Sequence, residues 1–69
     1  MDKEIDDRIR IGARIRELRE AAGMSIDQLA EKTGLLEMNI YRIENGRYPA
    51  NLDVLSKIAR VFGKKVDFI

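Results

Sequence analysis

The 69-residue sequence has no cysteine, no histidine and no tryptophan, and only one proline. Without cysteine there are no disulfides, and without cysteine or histidine the usual zinc ligand sets cannot form. Neither staple available to very small domains is therefore present, and helix packing, self-association or both must supply the stability. The same absences remove the commonest general acid–base group and the thiol nucleophile. A chain this short also has little room for a substrate cleft, so the expectation is a protein that is not an enzyme, with no metal and no cofactor. No apolar run approaches the ~18 residues of a membrane span. The opening Met1-Asp2-Lys3-Glu4 carries acid and lacks the apolar stretch of a secretion signal, which makes the cytoplasm the expected location.

What is present is 45% apolar and 36% charged residues, enough for one small domain. The net charge is only +1, less basic than a nucleic-acid binder usually is. That value hides a segregation. Residues 1–7 sum to −3, residues 8–23 to +3, residues 24–47 to −1 and residues 48–69 to +2. Arg8, Arg10, Arg14, Arg16 and Arg19 make the second segment basic, behind an acidic N-terminal arm expected to be flexible.

Four helical patterns are separated by glycines. The first runs from about Asp7 to Ala22, with Ile11, Ile15, Leu18 and Ala22 on one face, Asp6 or Asp7 as N-cap and Gly23 as the stop. The second begins at Ser25, where Ser25 and Gln28 make an S-x-x-Q capping box and Met24 and Leu29 fit a hydrophobic staple. It extends to about Lys32 and ends at Gly34. The third spans about 37–45, with Ile40 and Ile43 inward, Leu35 or Leu36 packing at its start and Gly46 as its end. Leu36 stands where a capping Ser, Thr, Asp or Asn is expected. The fourth follows Asn51 as N-cap, with Leu52, Leu55, Ile58, Ala59 and Phe62 as its stripe and Gly63 as its end. Val54 and Val61 lie seven apart on another flank. In the tail, residues 64–69, Val66-Asp67-Phe68 alternates as a short strand or docked tail, and a strand there needs a partner such as its own copy.

Ser25 to Asn45 has the spacing of a helix-turn-helix: a two-turn helix, a turn containing Gly34, and a second short helix. Ala30 is the small residue such a steep crossing needs, and Leu29 and Ile40 are its natural inner contacts. The flanking residues sharpen this. Gly12-x-x-Ile15-x-x-Leu18-Arg19, Gln28-Leu29-Ala30, Thr33-Gly34-Leu35 and Ile43-Glu44-Asn45-Gly46-Arg47 fall at matched separations, followed by Leu55, Ile58-Ala59 and Phe62-Gly63. Over residues 11–63 the sequence resembles the Cro/repressor-type, or xenobiotic-response-element, helix-turn-helix family.

The resemblance implies an all-α, four- to five-helix lambda-repressor-like domain over residues 8–63, flanked by the arm and the tail. It implies an ion pair between Arg19 and Glu44 with a structural role. It makes the third helix the recognition helix, with Glu37, Met38, Tyr41 and Arg42 toward base edges. Arg42 then suits guanine O6 and N7, Glu37 suits cytosine N4, and Met38 or Tyr41 suits a thymine methyl. Asn39 lies at the margin of that face, and Asn45, Arg47 and Tyr48 match positions that touch phosphate, helped by loop backbone N–H groups. Leu36, Ile26 and Glu37 depart from the polar residues common at those places.

The expected function is a sequence-specific double-stranded DNA-binding regulator, repressor-like and homodimeric. Val54, Val61, Val66, Phe68 and Ile69 are the candidate dimer contacts. The alternative is an antitoxin or adaptor module whose main partner is a protein such as a toxin.

Overall fold

In the computed structural model, which describes residues 3–48 and 50–66, four helices follow one another: α1 Lys3–Ala21, α2 Ile26–Thr33, α3 Glu37–Glu44 and α4 Leu52–Val61. Among the described residues there is no strand. α1 starts earlier than the sequence pattern suggests. Lys3 to Asp7, expected as a flexible acidic arm, belong to the helix, and Asp6 and Asp7 lie inside it rather than capping it. Asp6 stands in the opening turn of the helix, near the positive end of its dipole, and Asp7 pairs with Arg10 at 2.8 Å. Residues 1 and 2 of that arm lie outside the described residues.

α2 forms for the local reason its sequence announces. The Ser25 hydroxyl accepts from the Gln28 N–H (3.3 Å), and the Gln28 side chain accepts from the Ser25 N–H (2.9 Å). Asn51 caps α4 in the same way, accepting from the Val54 N–H at 2.9 Å. α3 has no such cap: Leu36 is extended and gives its first turn no side-chain hydrogen bond.

One core joins the helices. Ile15 of α1, Leu29 and Ala30 of α2, Ile40 and Ile43 of α3, and Leu55 and Ile58 of α4 are all buried. Leu35 and Ile26 pack against it from the periphery, whereas Leu36 is 70% exposed. Two stripe positions are exposed. Leu52, the first residue of α4, is exposed, and Ala22 lies beyond the end of α1 and is exposed.

Val54, Val61 and Val66 are half-buried and pack on the chain's own core. Val66 is in no strand, and its apolar surface is covered in part from within the subunit. Phe68 and Ile69 lie outside the described residues.

Candidate nucleic-acid interface

α3 is held from behind and open in front. Ile40, Ile43 and Glu44 are buried, while Glu37, Met38, Tyr41 and Arg42 are exposed. These four stand at helical positions i, i+1, i+4 and i+5, which places them on one face. Asn39 is half-buried at the edge of that face.

The inner side is fixed by charge as well as by apolar contact. Glu44 has a fully buried side chain and receives two hydrogen bonds from Arg19, Nε to Oε2 at 2.7 Å and Nη2 to Oε1 at 3.0 Å. The third arm of the same guanidinium, Nη1, donates to the Met24 carbonyl at 2.9 Å. Arg19 thereby ties the end of α3 to the loop before α2. Its hydrogen bonding to Glu44 raises the guanidinium pKa above the ordinary value, against the opposing effect of burial. Arg16 adds a second cation, with Nε 3.5 Å from Glu44 Oε1. Sequence pattern alone gave Arg16 no role, since it lies half-exposed one turn from Arg19.

Gly12 explains how α1 reaches this end of α3. A Cβ built on Gly12 would lie 2.2 Å from the Ile43 carbonyl oxygen and 2.8 Å from that of Glu44. The two backbones meet where no side chain fits. A glycine inside a helical pattern is the available signal of such a contact, but its partner is invisible in the sequence.

The turn between α2 and α3 is braced by Thr33, another residue to which spacing assigned no task. Its hydroxyl donates to the Leu29 carbonyl (2.8 Å) and accepts from the Leu35 N–H (3.3 Å). Gly34 then adopts φ 75°, and its N–H bonds to the Ala30 carbonyl. These bonds hold the turn between α2 and α3, and Ala30 is buried in the core.

The far end of α3 closes on itself. The Gly46 N–H bonds to the Ile43 carbonyl (3.1 Å), and the Arg47 N–H bonds to the Arg42 carbonyl (2.8 Å), the pattern of a Schellman motif. The Asn45 N–H and side-chain Nδ2 both bond to the Tyr41 carbonyl, at 3.1 and 2.8 Å. The backbone N–H groups of residues 45–47, expected to help hold a phosphate, are thus committed to capping α3. The side chains of Arg47 and Tyr48 are exposed in this loop.

A two-turn helix, a braced glycine turn and a second helix with one locked and one open face make a helix-turn-helix. The helix-turn-helix family model matches residues 15–69. The chain belongs to this family. It is a DNA-binding transcriptional regulator of the xenobiotic-response-element type. It is 41% identical over 54 residues to an HTH-type transcriptional regulator of Archaeoglobus fulgidus, covering 78% of this chain and 77% of that one. It is 37% identical over 51 residues to another from Methanothermobacter thermautotrophicus, covering 74% of each. Among solved structures it is similar to the restriction-modification controller protein C.AhdI from Aeromonas hydrophila. That match has a TM-score of 0.86 and 31% identity, covering 90% of this chain and 94% of the other.

Among the described residues no group of acidic, histidine or cysteine side chains is arranged to hold a metal, and no helix is long and apolar enough to cross a membrane.

Proposed function

We propose that this helix-turn-helix protein binds operator DNA as a homodimer, with the exposed face of α3 in the major groove. Glu37, Met38, Tyr41 and Arg42 meet base edges, and Asn39, Asn45, Arg47 and Tyr48 border the phosphates. The observation that carries this reading is the two-sidedness of α3. Its buried side is anchored by Ile40, Ile43 and the Arg19–Glu44 pair, and its open side presents Arg42 with Glu37, Met38 and Tyr41, all exposed. A recognition helix needs a fixed inner side, because base contacts depend on a held geometry.

Two copies are favoured by magnitude. One helix reads only a few base pairs, and each good pairing discriminates by about 1–3 kcal/mol. A two-fold pair would span half-sites roughly 34 Å apart. The half-buried Val54, Val61 and Val66, with Phe68 and Ile69 of the tail sequence, are the proposed contacts between copies. Binding rather than catalysis is the task, in keeping with a chain that has no histidine or cysteine.

The test is titration of labelled duplexes at several salt concentrations. Log affinity should fall linearly with log salt, by about 0.9 per phosphate contact. Arg42→Ala should relax sequence preference at one position while leaving the salt slope unchanged. Arg47→Ala should weaken all duplexes alike and make the slope shallower by about one contact. Equal effects of the two substitutions would refute the division of roles, and binding to no duplex would favour a protein-partner module.

A further inference from the structure

The open face of α3, together with Leu36 just before it, is more apolar than its task in water explains. Leu36 is 70% exposed, Met38 60% and Tyr41 52%. Ile40 and Ile43 already fill the core side of the helix, and these three side chains are not part of the core cluster. Large apolar side chains gain stability by burial, and more than half of each of these stays in water. Leu36 also takes the N-cap position without capping, which sacrifices the hydrogen bond that Ser, Thr, Asp or Asn would make.

Their place on the helix matters. In a helix-turn-helix the N-terminal residues of the recognition helix are the ones that reach base edges. In this chain those residues are Leu36, Glu37 and Met38, which offer two apolar surfaces and one acceptor but no side-chain donor. Purine acceptors such as guanine O6 and N7 would be left unpaired opposite them. Two features of the major groove remain that such a surface can use. One is the C5-methyl group of a pyrimidine, and the other is an exocyclic amine such as cytosine N4.

We propose that this face reads pyrimidine 5-methyl groups in the major groove, with Leu36 and Met38 as the principal contacts and Tyr41 beside them. Glu37, between the two, accepts from a neighbouring exocyclic amine. Arg42, a turn further along, supplies the guanine contact. The methyl group has two sources, thymine and 5-methylcytosine, and the chemistry of the contact is the same for both. The inference rests on the DNA-binding reading above and adds what the bound sequence must display.

The experiment begins with selection of a bound sequence from a random duplex pool by the full chain. The selected duplex is then remade with deoxyuridine for thymidine, which removes the methyl and keeps the pairing, and separately with 5-methylcytosine for cytosine. Loss of one buried methyl contact should weaken binding roughly fourfold. Tighter binding of the methylcytosine duplex would identify that base as a second source of the same contact. Leu36→Ala and Met38→Ala sit on the exposed surface and keep the fold, which thermal melting checks. In them the thymidine-to-deoxyuridine ratio should collapse toward one, whereas Arg42→Ala should retain it.

If both base replacements change affinity by less than twofold, the proposal is wrong. It is also wrong if the deoxyuridine effect persists undiminished in both alanine variants. Failure to retain any duplex overturns the DNA-binding reading itself, which is a different result from binding without methyl dependence.

Discussion

Gly12 and Ile43 meet backbone to backbone: a Cβ on Gly12 would stand 2.2 Å from the Ile43 carbonyl oxygen. No heavy atoms tolerate that distance, and the obstacle is main chain rather than the end of a flexible side chain. Gly12→Ala must therefore push α1 off α3, which also strains the Arg19–Glu44 contact one turn or two beyond. In an ordinary helix interior the same substitution would stabilise by roughly 0.5–1 kcal/mol. Here the expected sign is reversed, with a cooperative melting transition lost or lowered by well over 10 °C, a size typical of core overpacking in a small domain. Gly23→Ala is the control. Gly23 has φ 69° but open space around its Cβ position, so only left-handed strain of about 1–2 kcal/mol applies. Thermal denaturation of both variants checks the contrast.

Removing one side of the buried ion pair should cost far more than the pair contributes. Glu44→Ala leaves Arg19, whose side chain is 11% exposed, without its two carboxylate bonds. Stranding a buried charge costs about 3–5 kcal/mol, or a fall in Tm of more than about 12 °C for a domain this size. Arg19→Lys is nearly as damaging, because a single ammonium cannot replace a fork that engages both Glu44 oxygens and the Met24 carbonyl. A Glu44→Ala protein melting within a few degrees of the parent would show the pair to be dispensable.

At the start of α2, stability and pH are linked. Asp27 has its pKa held below the usual carboxylate value, chiefly by a hydrogen bond from the Ser25 hydroxyl and also by backbone N–H groups. A carboxylate depressed in the folded state stabilises it above its unfolded pKa and loses that contribution as pH falls through the folded one. Ser25→Ala removes the cap and the largest cause of the shift together. It should cost about 0.5–2 kcal/mol near neutral pH. The gap between parent and variant should narrow below pH ~4, as Asp27 becomes protonated in both. Urea melts across that range measure it.

These cases show what kind of structure a sequence exposes. The Ser25–Gln28 box, the Asn51 cap and the glycine stops are local devices, with all their atoms within a few residues, and each was legible. The contacts of Gly12 were not, because the carbonyl that requires a glycine there lies on another helix. Leu52 fits the periodicity of α4 yet is exposed, since period says which side a residue is on but not how far along the helix its neighbour reaches. The acidic run at the start read as an arm because its like charges dominate composition. The helix dipole and the Asp7–Arg10 pair act on position instead. The assignment of α3 as the reading helix came from resemblance. The structure adds that its open side is apolar at one end and cationic at the other.

Leu36 sets stability against recognition, and one substitution separates the two. Its backbone is extended, as an N-cap requires, but its side chain accepts nothing and lies 70% exposed. Leu36→Ser places an oxygen where the Met38 N–H can donate to it. The gain should be about 0.5–1 kcal/mol, raising Tm by roughly 3–6 °C. If Leu36 served only the fold, binding to a selected duplex would hold or improve with the better-ordered helix. If it contacts a pyrimidine methyl, the stabilised variant should bind several-fold more weakly, and the loss should vanish on the deoxyuridine duplex. A natural residue that is worse for the helix and better for the ligand is the expected sign of a functional site. Melting and binding measured on the same preparation decide between the two outcomes.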